Sequence, residues 1–179
     1  MALPWGAPLT EDDLAAMPAD GHRYELLDGV LLVTPAPSLR HQTCVGSLLV
    51  LLHAARRPGQ HVFVAPLDVR LSHLTVLEPD VLVARQADLT ADRLEGAPLL
   101  AVEVLSPSTR RLDLGSKRLA YEAAGVPSYW LVDPDGPSLT VLELEDGRYV
   151  ERATVAGDEP FHATVPFAVT VVPARLLDG

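Results

Sequence analysis

The spacing of apolar residues along the chain predicts a succession of helices and strands. Residues 38–57 carry apolar side chains at helical spacing behind a helix-capping serine, so this segment is predicted to be a helix. Nearly continuous apolar runs at 76–84 and 99–105 are typical of strands buried on both faces. A further strand is predicted at 61–71, and the polar segment 86–97 is predicted to be a loop.

Two Asp-Gly pairs, at 28–29 and 146–147, predict tight hairpin turns, because both residue types tolerate the left-handed backbone that such turns require. The remaining predicted elements are helices at 9–17 and 113–124 and strands at 24–27, 30–34, 128–132, 139–143, 148–154 and 165–172. This order predicts the α/β class: a mixed sheet flanked by helices, with an added β-hairpin and a β-rich C-terminal tail. We expect one domain over residues 1–179.

Charge and cysteine content narrow the functional classes. The net charge of −10 counts against a nucleic-acid partner, although net charge does not report a local patch. The single cysteine, Cys44, cannot form an internal disulfide and is expected to be a small core residue in a cytoplasmic protein. Acids at 11–13 argue against a signal peptide, and the longest apolar stretch, 44–55, is too short to span a bilayer, so no membrane partner is expected.

Glu103 is the only charged residue in the apolar run 99–105. Burying a lone carboxylate costs several kcal/mol unless another group compensates its charge. Coordination of a metal is one such compensation. Pairing with an arginine and exposure at the end of the strand are the alternatives.

Asp80 follows Pro79 within the apolar run 76–84. A proline inside a strand indicates an edge or a distortion, which can direct the next side chain into a cleft. Glu78 shares the alternation face of Asp80 and is a rival ligand, and Asp68 has a similar sequence context. The alternative is that Asp80 is only the polar start of a strand.

Lys117 is the only lysine and lies on the predicted helix 113–124. Leu112, Leu119 and Ala123 are predicted to mark the core face of this helix, with Lys117 near its border. The lysine stem could then lie along the sheet and extend its ammonium to a strand end. A solvated surface lysine is the alternative.

Two carboxylates on adjacent buried strands and an amine from the next helix suit metal-assisted hydrolysis of a phosphodiester. Asp80 and Glu103 are expected to hold Mg²⁺, with Mn²⁺ as a substitute, while Lys117 orients the attacking water or stabilises the developing charge. Because neighbouring carboxylates repel each other, we expect Asp80→Asn to weaken metal binding and to stabilise the metal-free fold. For Glu25 and His41 the residues alone favour structural roles.

At this point several segments resemble the Uma2 family, formerly a domain of unknown function and part of the restriction-endonuclease-like PD-(D/E)xK superfamily. The resemblance covers about residues 20–150 in the right order. It rests on the segments YELLDG at 24–29, PAPS at 35–38, RHQ at 40–42, EPD at 78–80, VEVLSPST at 102–109, GVP at 125–127 and YWLVDP at 129–134.

The resemblance implies a nuclease core in which Asp80 is the acid of the PD element and Glu103 the acid of the (D/E)xK element. Leu105 stands where the simple pattern has lysine, and in this family the lysine has moved to the next helix, which matches Lys117. Glu25 is similar to an additional acid of the superfamily, so the implied catalytic set is Asp80, Glu103, Lys117 and Glu25. The implied substrate is DNA, and a twofold homodimer is expected because no DNA-reading module is present.

Three alternatives stay open on the sequence. The first is a catalytically silent binding or assembly module on the same fold, which the net charge favours. The second is a metal-dependent phosphoesterase that acts on small nucleotides. The third is a hydrolase built on Ser106 and His41, although no nucleophile-elbow glycines surround the serine.

Overall fold

The computed structural model describes residues 6–178, in which strands outnumber helices. The helical segments, in chain order, are α1 (Glu11–Ala15), α2 (Leu39–Ala55), a 3₁₀ turn (Gln86–Asp88), α3 (Arg110–Leu112), a π-helical turn (Asp113–Lys117), α4 (Arg118–Ala123) and a second 3₁₀ turn (Pro173–Leu177). The strands are β1 (Arg23–Leu27), β2 (Val30–Thr34), β3 (Gln60–Val64), β4 (Val69–Ser72), β5 (Thr75–Leu77), β6 (Val81–Arg85), β7 (Leu94–Glu95), β8 (Leu100–Val104), β9 (Ser128–Asp133), β10 (Ser138–Glu145), β11 (Arg148–Ala156), β12 (Phe161–Ala163) and β13 (Val169–Val171).

The α/β class is as predicted, but the strands form two large sheets rather than one. One sheet has the order β2-β1-β5-β4-β7 and the other the order β11-β10-β9-β8-β6-β3. Both are mixed, since β4 pairs with β7 and β8 pairs with β9 in parallel, while the other pairs are antiparallel. Strands β12 and β13 form a separate two-stranded ribbon.

Two predicted strands are each divided between these sheets. The predicted strand 61–71 consists of β3 and β4, and the predicted strand 76–84 consists of β5 and β6. Pro66 lies in the first break and Pro79 in the second, and neither can donate a backbone hydrogen bond to a ladder. The chain therefore crosses from one sheet to the other at both prolines.

Both Asp-Gly hairpins are confirmed. Asp28 and Gly29 have φ angles of 49° and 76° between β1 and β2, and Asp146 and Gly147 have φ angles of 48° and 77° between β10 and β11. Positive φ at both central residues matches the twist of the flanking strands, which explains why these pairs predict the turns.

The predicted helix 113–124 begins earlier, at Arg110, and its predicted core face is wrong. Leu119 is 59% exposed and Ala123 is also exposed. The buried face instead carries Asp113, Lys117 and Tyr121. These polar groups are spaced like an ordinary helical face, so apolar spacing alone could not identify which side faces the interior.

Two other expectations also need correction. The predicted loop 86–97 contains the first 3₁₀ turn and β7, whose Leu94 is fully buried. The predicted strand 165–172 is only β13, because residues before it, including Pro166, lie outside any strand. Its partner β12 comes from residues that the sequence did not predict to be a strand.

The six-stranded sheet is buried on both faces around β8. Leu100, Val102 and Val104 face α2, where Cys44 and Leu48 pack in the same core, as predicted for the cysteine. The opposite face of β8 carries Ala101 and Glu103, and Ala101 packs with residues of β5 and α4. Within residues 6–178, no helix is both long and apolar enough to cross a membrane.

Candidate active site

Glu103 lies on the face of β8 that looks toward α4 and the five-stranded sheet. Alternation along the strand sends its carboxylate away from the α2 core, and it is only 2% exposed. Lys117 Nζ donates to Glu103 Oε1 over 3.2 Å, and the Tyr121 hydroxyl donates to the same oxygen over 3.1 Å. The other carboxylate oxygen, Oε2, takes no part in these bonds.

Asp80 lies at the break where the chain passes from β5 into β6. Val81 pairs with Val102 in the antiparallel ladder, so the register continued by one residue sets Asp80 opposite Glu103. Asp80 Oδ2 accepts a hydrogen bond from the Val104 backbone N–H over 2.8 Å. The proline-linked break therefore presents this acid beside Glu103.

Asp80 is held by two basic side chains. Arg23 Nη1 donates to Asp80 Oδ1 over 3.0 Å, and His41 Nε2 lies 3.1 Å from Asp80 Oδ2. Burial raises the pKa of Asp80, but the hydrogen bond from His41, the Arg23 charge and the Val104 N–H together outweigh burial. The pKa consequently lies below its usual value, and Asp80 is an ionised carboxylate.

Lys117 enters the site from the π-helical turn, a feature often found at functional sites. It is 2% exposed rather than solvated, so the surface alternative is wrong. Its Nζ lies 2.9 Å from Glu25 Oε1, 3.2 Å from Glu103 Oε1 and 3.8 Å from Asp113 Oδ1. Burial lowers the pKa of Lys117, but the charges of Glu103 and Glu25 outweigh it and raise that pKa.

Glu25 on β1 completes the buried ion pair. Its Oε1 accepts the Glu78 backbone N–H over 2.8 Å and lies 3.4 Å from Arg23 Nη2. Burial raises the pKa of Glu25, but the charges of Lys117 and Arg23 prevail and lower it. Glu25 thus joins the lysine to the β5–β6 break.

The negative charges of the remaining acids are less well balanced by nearby cations and hydrogen-bond donors. Burial raises the pKa of Glu78 to about 7 and the pKa of Asp113 to about 6. Burial also raises the pKa of Glu103, to which the charges of Asp113, Asp80 and Glu25 add against the opposing effect of Lys117. Asp113 Oδ1 is buried and lacks a hydrogen-bond partner.

These groups lie at or beneath a cleft of about 590 Å³. Its lining includes Glu78, Asp80, Glu103, Asp113, Arg23, Lys117 and His41. With Glu25, the described site has five carboxyl groups beside two permanent cations, Arg23 and Lys117. Burial and the mutual repulsion of these acids raise the pKa values of Glu78, Glu103 and Asp113.

The residues fit a hard divalent cation. Mg²⁺ commonly binds to one or two carboxylates and completes its shell with water and phosphate oxygens. Asp80 and Glu103 supply two carboxylates on opposed strand positions, and the acid excess gives the charge that such a cation would neutralise. Over residues 6–178, no set of three or more His, Cys, Asp or Glu side chains is arranged to hold a metal by itself.

The structure brings together the four residues that the sequence selected: Asp80, Glu103, Lys117 and Glu25. Sequence reasoning missed Arg23, which contacts Glu25, Glu78 and Asp80, including the Glu78 backbone carbonyl. The sequence could have indicated Arg23, because Arg23 and Glu25 are two residues apart and so share a face of β1.

Other candidates fall outside the central group. Ser106 Oγ bonds to Ser108 and Thr109, whereas His41 bonds to Asp80, so the described contacts do not form a Ser106–His41 pair. Asp68 lines a neighbouring pocket with Glu78 rather than the cleft. The charge of Asp80 does repel that of Glu103, but Asp80 is also held by Arg23, His41 and the Val104 N–H, which oppose the stabilisation expected for Asp80→Asn.

Comparison with known proteins gives a family and a fold. A family model described as "Uma2: Putative restriction endonuclease" matches residues 11–173. A crystal structure from Anabaena variabilis ATCC 29413, described as that of "a putative nuclease belonging to DUF820", superposes with a TM-score of 0.75. It is 21% identical and the match covers 96% of this chain and 98% of that chain, so the fold is shared.

Two curated proteins are also similar in sequence. Both are named gamma-glutamyl phosphate reductase and come from Synechococcus sp. strains JA-3-3Ab and JA-2-3B'a(2-13). They are 31% and 30% identical over 128 residues, which is 69% of this chain and 28% of each relative. The chain therefore spans little more than a quarter of the length of these relatives.

Proposed function

The chain belongs to the Uma2 family, and from that membership we propose that it is a Mg²⁺-dependent endonuclease that hydrolyses DNA phosphodiester bonds. The observation that carries the proposal is the buried contact of 3.2 Å between Lys117 Nζ and Glu103 Oε1, with Asp80 opposite Glu103. An amine between two acids and beside a third is costly to bury for stability alone. A catalytic role at the cleft would explain why the lysine is buried there.

In the proposed site, Asp80 and Glu103 would hold Mg²⁺, and Mn²⁺ would substitute. The bound cation would supply Lewis acidity toward the scissile phosphate and lower the pKa of a water. Asp80 is already ionised, because His41 and Arg23 hold its carboxylate. Arg23 and the Val104 N–H also fix its orientation, so little rearrangement is needed on binding.

Lys117 would orient the attacking water and stabilise the charge that develops on the phosphate. Its ammonium is already fixed by Glu25 and Glu103, and Lys117 lines the cleft where the water would lie. Glu25 acts through Lys117, so we propose it as a positioning residue. Tyr121 serves Glu103 similarly by donating to Oε1, which leaves Oε2 available to a cation.

A nicking assay on supercoiled plasmid tests this function. Purified protein should convert supercoiled plasmid to open circles with Mg²⁺ or Mn²⁺, and chelation should stop the conversion. Glu103→Gln should lose the activity, whereas Glu159→Gln, an exposed acid on the surface, should retain it. A parent protein that leaves supercoiled plasmid, linear duplex and single-stranded DNA all intact with either metal would remove the endonuclease proposal and favour the binding-module alternative.

A further inference from the structure

The reactive groups lie too deep for easy contact with a continuous duplex. Asp80 is 5% exposed and Glu103 is 2% exposed, at the base of a cleft walled by segments 34–38, 65–66 and 106–109. The cleft volume of about 590 Å³ falls in the range of pockets that enclose a small ligand. A phosphodiester can reach these acids only if the surrounding strand enters the cleft.

The distribution of cations also disfavours a duplex. All 14 lysine and arginine residues lie within residues 6–178, and nine of them form ion pairs with acids. The five without such a pair are Arg56, Arg57, Arg111, Arg118 and Arg175. Duplex binding gains most of its affinity from many phosphate contacts, which this set cannot supply.

The unpaired cations are also badly placed for a duplex over the cleft. Arg56 and Arg57 follow the C-terminal end of α2, whereas the N-terminal residues of that helix line the cleft. A helix of 17 residues is about 25 Å long, so these two arginines are remote from the acids. Only Arg111 lies near the 106–109 wall without an acid partner and fully on the surface.

The cleft lining includes one member of an aromatic pair, His22. His22 and Tyr24 have ring centroids 6.2 Å apart at an interplanar angle of 58°. Asp20 holds both residues, since it accepts from the Tyr24 hydroxyl over 2.8 Å and from the His22 backbone N–H over 3.0 Å. The His22 side chain is 57% exposed, so its ring has a free face.

This pair stands between the cleft and a second pocket of about 250 Å³. His22 and Glu78 line both cavities, and Tyr24 lines the second. A strand that places a phosphate over Asp80 therefore shares the cleft with the aromatic ring of His22. Bases without a pairing partner stack on such surfaces regardless of sequence, because each base has a π face.

We propose that the substrate is an unpaired DNA strand, whether a single strand, a flap or a frayed end, and that a base beside the scissile phosphate stacks on His22. The cutting of this strand rests on the proposed nuclease function, whereas the preference for binding an unpaired strand does not. An acidic protein with a deep cleft can accept a flexible strand one nucleotide at a time. It need not neutralise the backbone of a long duplex.

Binding measured by fluorescence anisotropy tests the inference separately from cutting. A labelled single-stranded oligonucleotide and the matching duplex would be titrated with the full chain, with Ca²⁺ as the oxygen-seeking cation. The single strand should bind about tenfold more tightly, the equivalent of gaining one base stack. His22→Ala should remove that advantage, His22→Phe should restore it, and His162→Ala, an exposed histidine on β12, should have no effect.

Duplex that binds as tightly as the single strand, or no measurable binding of either, would overturn the inference. It would also be overturned if His22→Ala matched His162→Ala, or if a free nucleotide competed as well as the oligonucleotide. Preferential binding of the single strand without cutting in Mg²⁺ or Mn²⁺ would support this inference while removing the proposed nuclease function.

Discussion

Lys117 Nζ lies 2.9 Å from Glu25 Oε1, and this buried ion pair joins the first strand of the protein to the π-helical turn. The same glutamate oxygen accepts the Glu78 backbone N–H, which fixes the β5–β6 break that carries Asp80. One carboxylate thus connects the lysine to the segment that bears the opposing acid. The geometry of the site and the stability of the fold are therefore coupled.

Lys117→Met is expected to damage both stability and activity. The change keeps most of the side-chain volume but leaves Glu25 and Glu103 buried without their cation. Removing one partner of a buried ion pair typically lowers the free energy of unfolding by about 3–5 kcal/mol. Urea denaturation would measure the loss, and the plasmid assay would show nicking abolished at temperatures where the variant is folded.

The matched control is Arg111→Met, an exposed cation on the neighbouring α3. Surface substitutions usually change the free energy of unfolding by no more than about 0.5 kcal/mol. A Lys117→Met variant as stable as Arg111→Met would contradict the coupled ion pair.

Asp80→Asn is expected to destabilise the metal-free protein, the opposite of what the sequence alone predicts. The charged oxygens accept from Arg23, His41 and the Val104 N–H, and an amide cannot replace all three. Losing hydrogen bonds to a charged group costs about 1.5–3 kcal/mol of unfolding free energy. Urea denaturation beside Asp158→Asn, an exposed aspartate, would measure it, and a rise in stability would refute the assignment of these partners.

Asp113→Asn, in contrast, is expected to stabilise the metal-free protein above pH 6. Burial raises the pKa of Asp113 to about 6, so the folded protein binds this proton more tightly than the unfolded chain does. Ionisation of Asp113 therefore lowers the free energy of unfolding. This loss is complete above pH 6, the pKa in the folded protein, and it vanishes as the pH falls to 3.8, the ordinary pKa of an aspartate. The Tm of the variant should exceed that of the parent at pH 7.5, and the two should converge near pH 4.

How much of this site the sequence could predict depends on the residue. Glu103 stands out because it is the only charge in an apolar strand, and apolar context is a local property that the sequence displays. Asp80 stands out because proline precedes it. Neither argument needs long-range information, and both acids lie at the cleft.

The division into two sheets could not be predicted in the same way. Pro66 and Pro79 interrupt the apolar runs, but a proline does not reveal whether the chain resumes the same sheet or enters another. That choice depends on pairing partners distant in sequence, such as β1 with β5. The buried face of this helical segment was missed for a related reason, since Lys117 and Tyr121 find their partners, Glu25 and Glu103, on strands distant in sequence.

Away from the cleft, Glu11 is expected to make stability sensitive to acid. Its carboxylate accepts from Arg70 over 2.8 Å, lies 2.9 Å from His73 and 3.3 Å from Arg93, and so ties α1 to the five-stranded sheet. Hydrogen bonds from Arg70 and His73 lower the pKa of Glu11 to about 2.

Because the pKa of Glu11 is depressed on folding, its stabilising effect is present above the ordinary value of 4.5 and is lost as the pH falls toward 2. Glu11→Gln should therefore have a lower Tm than the parent at pH 7, and the gap should close between pH 4.5 and 2. Thermal melts across that range would measure it. A gap that is unchanged at pH 2.5 would show that Glu11 contributes by packing rather than by charge.

Metal binding can be tested without relying on any cutting activity. A cation that binds only the folded state raises stability by mass action, by about 4 kcal/mol when its concentration is about 1,000 times Kd. Mn²⁺ should therefore raise the Tm of the parent protein in a concentration-dependent way. Glu103→Gln should flatten this response, because it removes one of the two proposed ligands and part of the acid excess that attracts the cation. Glu159→Gln, which changes an exposed acid, should respond like the parent. If Mn²⁺ shifts the Tm of Glu103→Gln as much as that of the parent, the cation binds elsewhere on this acidic protein, and the proposed metal ligands are wrong.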